Sequence, residues 1–269
     1  MSTTTPQITI GMRMRWTLAD GLVIMRRNLL KFVRIPALFV FSIVQPIMFV
    51  LLFVFVFNGL GGLLPPDVSY VNFLIPGIFV QTAIFGSTQT GIGLSEDLNS
   101  GIIDRFRSLP MARSAVLAGR TLADVVVNLF GVIIVIAVGY VVGFRFSTSV
   151  PEVLYGVFLL LIFGYAFSWI FALVGLYSTS AETAQQIGFT AIFPLTFISS
   201  AFVPIENMPA PLEAFAEVNP FTITVDAMRH LFVGTPAGNS VWGATVWSIG
   251  LTIVLAPMAV AKYRRVSSR

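Results

Sequence analysis

The 269-residue chain has no cysteine, which excludes disulfides and thiolate metal sites and leaves its redox compartment unreadable. Its single histidine, His230, excludes paired-histidine metal sites. That residue follows Arg229 in a segment read below as external, and it is expected to be a solvated surface side chain. There are only two lysines, Lys31 and Lys262, and neither follows a glycine or precedes a serine or threonine. A P-loop needs a lysine after a Gly-rich turn to hold the β- and γ-phosphates. The chain is therefore not itself a P-loop ATPase. If ATP drives it, a separate polypeptide hydrolyses the ATP. No Gly-x-Ser-x-Gly nucleophile elbow occurs either. Charge is scarce as well, at 10% of residues against about 25% in soluble domains.

What the chain does have is apolar mass: 56% hydrophobic residues, 25 of them phenylalanine. Folded as a soluble domain it would expose far too much apolar surface. The composition is that of an integral membrane protein. Its net charge of +4 does not point to nucleic acid, because the basic residues sit at the edges of apolar runs instead of forming a basic domain.

Six runs are near the roughly 20 residues that cross a hydrocarbon core. They are Pro36–Phe57, Tyr70–Leu94, Ala115–Val142, Val153–Leu176, Ala184–Val203 and Val241–Val260. Barrel strands are excluded, since they would be about ten residues long and alternate apolar with polar. The expected fold is an all-α integral membrane protein of six transmembrane helices. Lys and Arg mark the cytoplasmic side. Fourteen of the sixteen fall on one side if six spans alternate, and only Arg145 and Arg229 fall on the other. Both termini are thus expected in the cytoplasm. No cleaved signal peptide is expected, because the first apolar run starts late, is too long and lacks a small-x-small cleavage site. Residues 1–11 read as a flexible tail.

Before the first span, Leu18, Leu22, Met25, Leu29, Phe32 and Val33 recur at helical spacing. Asp20, Arg26, Arg27, Lys31 and Arg34 occupy much of the opposite side. Trp16–Arg34 is therefore an amphipathic helix with a basic face. It serves either as an anchor on anionic lipid or as a docking surface for a cytosolic partner. Between the fifth and sixth spans, Pro204, Pro209, Pro211 and Pro220 punctuate an acidic stretch carrying Glu206, Glu213, Glu217 and Asp226. Pro211–Val218 and Thr222–Val233 look like short amphipathic helices there. They form either a plain external cap or helices that re-enter towards the bilayer, where irregular backbone must be buried or face water.

Polar residues inside the spans are few. On the second, Gln81, Phe85, Thr88 and Gln89 form one stripe; on the fifth, Gln186, Thr190, Phe193 and Phe197 form another. Glutamine facing lipid is costly, so these stripes face either neighbouring helices or a path for an amphipathic substrate. Pro194 is expected to kink the fifth span. On the third span Arg120 and Asp124, at i,i+4, read as a structural pair near the cytoplasmic end. The scarcity of other ionisable groups within the spans weighs against ion coupling.

One segment breaks the apolar pattern. Gly93–Arg113 packs six charges between two spans, as a handle that a cytosolic partner can push or pull. Within it, Glu96-Asp97-Leu98, Gly101-Ile102-Ile103-Asp104-Arg105-Phe106-Arg107-Ser108-Leu109-Pro110, Arg113 and Gly119-Arg120 resemble the ABC-2 type permeases, most closely the daunorubicin-resistance branch of ABC exporters. Phe202-x-Pro204, Met208-Pro209, Leu212, Asn219-Pro220-Phe221-Thr222 and Arg229 match where that family has its external helices.

The resemblance implies a single ABC-2 type transmembrane domain over residues 1–269. It would comprise a cytoplasmic tail and interface helix at 1–35, a cytoplasmic coupling loop at 95–114 and an external helical segment at 204–240. It implies a second permease half, as homodimer or related subunit, and a cytosolic nucleotide-binding subunit that hydrolyses MgATP. No cofactor would be bound by this chain. Glu96, Asp97, Asp104, Arg105, Arg107 and Arg113 would make charge-assisted contacts with that ATPase, and Leu98, Ile102, Ile103 and Phe106 would fill a groove on it. Arg26, Arg27, Lys31 and Arg34 of the interface helix would face it too. The substrate path would run by Gln81, Phe85, Thr88, Gln89, Thr190, Phe193 and Phe197. The implied activity is export of a hydrophobic or amphipathic molecule (drug, antibiotic or lipid-like) across the cell membrane by alternating access. The alternatives are an ion-coupled carrier or channel, sensitive to uncouplers and independent of any ATPase, and a membrane-embedded enzyme active without ATP.

Overall fold

The computed structural model describes residues 10–64, 68–102 and 113–266, and these form nine α-helices without a strand. They are α1 (Ile10–Arg34), α2 (Pro36–Leu51), α3 (Tyr70–Asn99), α4 (Arg113–Val141), α5 (Val150–Tyr177), α6 (Ala181–Phe197), α7 (Ala210–Val218), α8 (Pro220–Val233) and α9 (Ser240–Val266). Helix α2 continues through a wider π turn to Val56. Five helices are long and apolar enough to cross a membrane: α2 with its π turn, and α3, α4, α5 and α9. The protein is a multi-pass membrane protein.

Local chemistry sets the helix ends. Ser149 and Glu152 close a capping box on α5, with Pro151 in its first turn, where a missing N–H costs nothing. Asn219 caps α8 ahead of Pro220, and Gly234 ends that helix at φ +84°, a conformation that favours glycine.

The fifth expected span, Ala184–Val203, is helical only from Ala181 to Phe197, 17 residues. At 1.5 Å per residue that is about 25 Å, short of the roughly 30 Å hydrocarbon core. The helix stops early because other groups take carbonyls of its last turn and just beyond it. Asn219 donates from Nδ2 to the carbonyls of Leu195 and Ile198, both at 2.8 Å. Arg229 takes the Ser200 carbonyl.

Helix α3 is the hub. Its apolar window is 67% buried, against 22% for α2 and 17% for α9, which lie at the periphery. It packs on α4, α5, α6 and α8. Its closest neighbour is α5, because Gly91 and Gly175 let the two backbones touch. A Cβ on Gly175 would come within 2.9 Å of the Gly91 Cα. Gly175→Val is expected to destabilise the chain by about 1–3 kcal/mol through overpacking; an unchanged unfolding midpoint in detergent would contradict this crossing. At the end that carries α7 and α8, the rings of Phe79, Phe144, Phe146 and Phe232 interlock edge to face, at centroid separations of 5.1–6.2 Å. Both expected short helices of that segment are present. Helix α8 is no loose cap: Phe221, Val225, Met228 and Phe232 are fully buried in the main core.

Candidate functional site

At the opposite end, the charged segment is tied to the first helix. Helix α1 lies on α4 at Gly119, where any Cβ would strike the Gly21 carbonyl and Ile24. Ile24 is buried, whereas Leu22 and Val33 are exposed. The expected apolar stripe is therefore split: Phe32 turns inward to Phe39, Met25 and Leu29 are half-buried, and Leu22 and Val33 face outward. Glycine at 21 and 119 lets the backbones meet, and part of the basic face turns inward. Arg27 Nη2 donates to both carboxylate oxygens of Asp97 at 2.7 Å, and Lys31 Nζ reaches Glu96 Oε2 at 2.5 Å. Arg26 and Arg34 remain exposed.

Asp97 has a second cationic neighbour. Arg120 Nη1 lies 3.4 Å from its Oδ2, and Nη2 donates to the Gln89 carbonyl at 2.9 Å. Gly93 makes this possible, since a Cβ there would occupy the space of the guanidinium. The expected i,i+4 ion pair of Arg120 with Asp124 is not formed. Asp97, across the helix interface, takes the guanidinium, and Asp124 accepts from the Thr90 hydroxyl instead. Among the described residues one network thus links α1, the end of α3 that leads into the charged loop, and α4.

The network borders a cavity of about 370 Å³ between α1, α2, α3, α4 and α6. Gln81, Phe85, Thr88 and Gln89 line it as one stripe, and Glu96 stands on the same line. From Gln81 to Glu96 is fifteen residues, about 22 Å of helix. Arg120, Asp124 and Asn128 on α4 extend this polar wall. The facing wall is aromatic: Phe32, Phe41 and Phe49 from α1 and α2, and Phe189 from α6, whose ring meets Phe85 edge to face at 5.6 Å. Asn28, Lys31, Ser42, Gln45 and Gln185 stand among these rings, so the cavity is a slot with a polar side on α3 and α4 and a mixed, ring-rich side opposite.

The second-span stripe is brought together as a unit. The α6 stripe is not brought to it. Gln186, Thr190, Phe193 and Phe197 point outward, and the cavity is lined by Gln185 and Phe189 one residue earlier. Gly188 sets this rotation by seating α6 on the Phe171 ring of α5. Of the coupling residues, Asp97 is buried, Leu98 and Ile102 are half-buried, and Glu96 is exposed. Ile103, Asp104, Arg105, Phe106 and Arg107 lie outside the described residues; Arg113 opens α4. Sequence reasoning missed Asn28, Gln45 and Asn128. Asn128 carried a signal, since Arg120, Asp124 and Asn128 recur at i, i+4 and i+8.

The second motif explains itself structurally. Arg229 is buried, donates from Nε to the Phe73 carbonyl at 3.1 Å and from Nη1 to Asp226 at 2.8 Å, and lies 3.6 Å from the Phe73 ring centroid. Burial lowers its guanidinium to about 10 against the opposing pull of Asp226, so it stays protonated at neutral pH. Together with Asn219 it fastens α8 to α3 and to the end of α6. His230 is only half-buried, its Nδ1 2.6 Å from the Thr235 carbonyl.

A buried helical hub, a two-walled intramembrane slot and a charged loop rooted beside it define a polytopic membrane protein with the anatomy of a transporter. Residues 21–233 match the ABC-2 type transporter family, and the chain belongs to that family. It is 31% identical over 238 residues to the daunorubicin resistance ABC transporter permease protein DrrB1 of Streptomyces coeruleorubidus, covering 88% of this chain and 83% of that one. It is 28% identical over 228 residues to the probable doxorubicin resistance ABC transporter permease protein DrrC of Mycobacterium tuberculosis (strain ATCC 25618 / H37Rv), covering 84% and 82%. To the probable multidrug ABC transporter permease YbhR of Escherichia coli (strain K12) it is 23% identical, covering 74% and 54%. These relatives are transport permease subunits.

Proposed function

We propose that this chain is the membrane half of an ATP-driven exporter that moves a hydrophobic or amphipathic molecule outward across the cell membrane. Its relatives' association with daunorubicin, doxorubicin and multidrug resistance supports a drug or antibiotic-like cargo, and the slot's mixed lining fits such a molecule. A cytosolic ATPase subunit binds and hydrolyses MgATP, and a second permease half completes the transporter. Helix α6 together with the bends that follow Phe197 serves as a sixth crossing. Both termini and the charged loop lie in the cytoplasm, and α7 and α8 form the external segment, re-entering towards the bilayer. The whole chain acts as one transmembrane domain.

The observation that carries this reading is the network Arg27–Asp97–Arg120 with Lys31–Glu96. It joins the interface helix and the root of the charged loop to the wall of the slot through the Gln89 carbonyl. A push on the loop therefore reaches the slot. ATP shifts the access equilibrium only by its differential affinity for the two states, and the docked ATPase transmits that difference. Exposed Arg26 and Arg34 remain available for the ATPase surface or anionic lipid, and so does Glu96 beside its pairing with Lys31.

The test is purification of the tagged chain from its native membrane in mild detergent. A stoichiometric P-loop subunit with vanadate-sensitive ATPase activity is expected, and Arg105→Glu is expected to end substrate-stimulated hydrolysis while the chain remains inserted. A chain that purifies alone under several gentle conditions, with uncoupler-sensitive transport, would replace this reading with an ion-coupled carrier or channel.

A further inference from the structure

The slot's two walls differ in more than polarity, because the α3–α4 wall carries donors that nothing among the described residues satisfies. Gln81 is 3% exposed and its Nε2 has no partner; Arg120 is 9% exposed and its Nε has none. Both residues line the slot. A buried donor without an acceptor is costly, and such groups in a folded protein await water or a ligand. Two carboxylates stand on the same wall: Glu96 is paired with Lys31, and Asp124 is engaged by Thr90 and stands one helical turn from the Arg120 guanidinium. Arg120 is in turn held by Asp97 and the Gln89 carbonyl. An incoming cation would meet Arg120's positive charge, with Asp124 already engaged by Thr90 and Glu96 already paired with Lys31. An incoming acceptor oxygen would meet the two free donors, and a ligand hydroxyl would also find an acceptor in Asn28 Oδ1, which lines the slot unpaired among the described residues.

We propose that the slot is a ligand site, and that it takes an uncharged amphipathic molecule with carbonyl, ether or hydroxyl oxygens along one edge and an apolar opposite face. The oxygens accept from Gln81 and Arg120, and the apolar face lies against Phe32, Phe49 and Phe189. Gln81 stands eight residues along α3 from Gln89, whose carbonyl holds Arg120. A ligand that reaches both donors is therefore about 12 Å long. A volume of about 370 Å³ is at the lower end of drug-sized sites. This inference rests on the exporter reading and adds to it the chemistry that the site selects.

The test uses the full chain in lipid nanodiscs, photolabelled with benzophenone, an uncharged diaryl ketone. Adducts are expected on slot residues of α2, α3 and α6. Xanthone, whose carbonyl accepts from Gln81 Nε2 while its rings lie against the phenylalanines, is expected to protect about tenfold better than 9,10-dihydroanthracene, of similar shape without an acceptor, at matched membrane concentration. Gln81→Met is expected to keep the labelling and to shrink that preference severalfold. Equal protection by the two competitors, better protection by tetraphenylphosphonium, or adducts confined to surfaces outside the slot would each overturn the proposal. The competition in the unmodified chain requires no variant to fold. ATP-dependent efflux that persists alongside equal protection would sink this inference alone. Discriminating binding without any ATP-dependent transport would sink the exporter reading and leave the site standing.

Discussion

Asp97→Leu is expected to destabilise the protein by about 3–5 kcal/mol, because it takes the carboxylate from the buried Arg120 guanidinium. The magnitude sets this residue apart from the ordinary polar contacts of the bundle. Ser87, which donates to the Gly164 carbonyl across the α3–α5 contact at 2.8 Å, is expected to cost only about 0.6 kcal/mol on removal, the usual worth of a hydrogen bond between membrane helices. Lys31–Glu96 is exposed on both sides and contributes little to stability. The triple variant Arg27→Met, Asp97→Leu, Arg120→Met removes all three charges together, and buried ion clusters replaced by apolar groups of similar size often lose no stability. It should therefore unfold near the parental temperature in detergent yet fail to export. A triple variant that exports normally would show the network to be scaffolding without a coupling role. A single Asp97→Leu variant with an unchanged midpoint would show that Asp97 does not neutralise Arg120.

The second large effect lies at the other end of the molecule. Arg229→Leu leaves the carbonyls of Phe73 and Ser200 without their donor and Asp226 without its cation. A loss of about 3–5 kcal/mol is expected, read as a lowered unfolding midpoint and reduced abundance in the membrane. Arg229→Lys should recover little of it, since an ammonium cannot serve three acceptors in fixed directions and also cover the Phe73 ring. Recovery by lysine would mean that charge alone holds the clamp.

Much of the architecture was legible because hydrophobic length is a one-dimensional signal. Pro36, Tyr70 and Ser240 begin their helices at or within a residue of the expected positions, and the two short helices around Pro220 were readable from their prolines and apolar spacing. The α6 terminus was not readable, because it depends on carbonyls captured by Asn219 and Arg229 from more than twenty residues away. The inward turn of Arg27 and Lys31 was hidden for the same reason. A basic face on an isolated helix reads as a face for lipid or partner, and only the approach of Gly21 to Gly119 brings it onto Asp97 and Glu96. In the slot, the glutamine stripe of α3 was legible as a cost that burial had to relieve. The α6 stripe missed by one residue, or about 100° of helix rotation, because the seating of Gly188 on Phe171 is a packing fact without a local sequence signature.

The central claim is that this permease exports by coupling its network to a partner's ATP hydrolysis. The most direct test is reconstitution of the chain with its co-purified ATPase in inside-out vesicles, with an uncharged amphipathic ketone such as xanthone supplied outside. ATP-dependent, vanadate-sensitive accumulation in the lumen is expected, abolished by the triple network variant while the ATPase subunit stays bound. Accumulation that proceeds without ATP, or that survives the triple variant unchanged, would contradict the account.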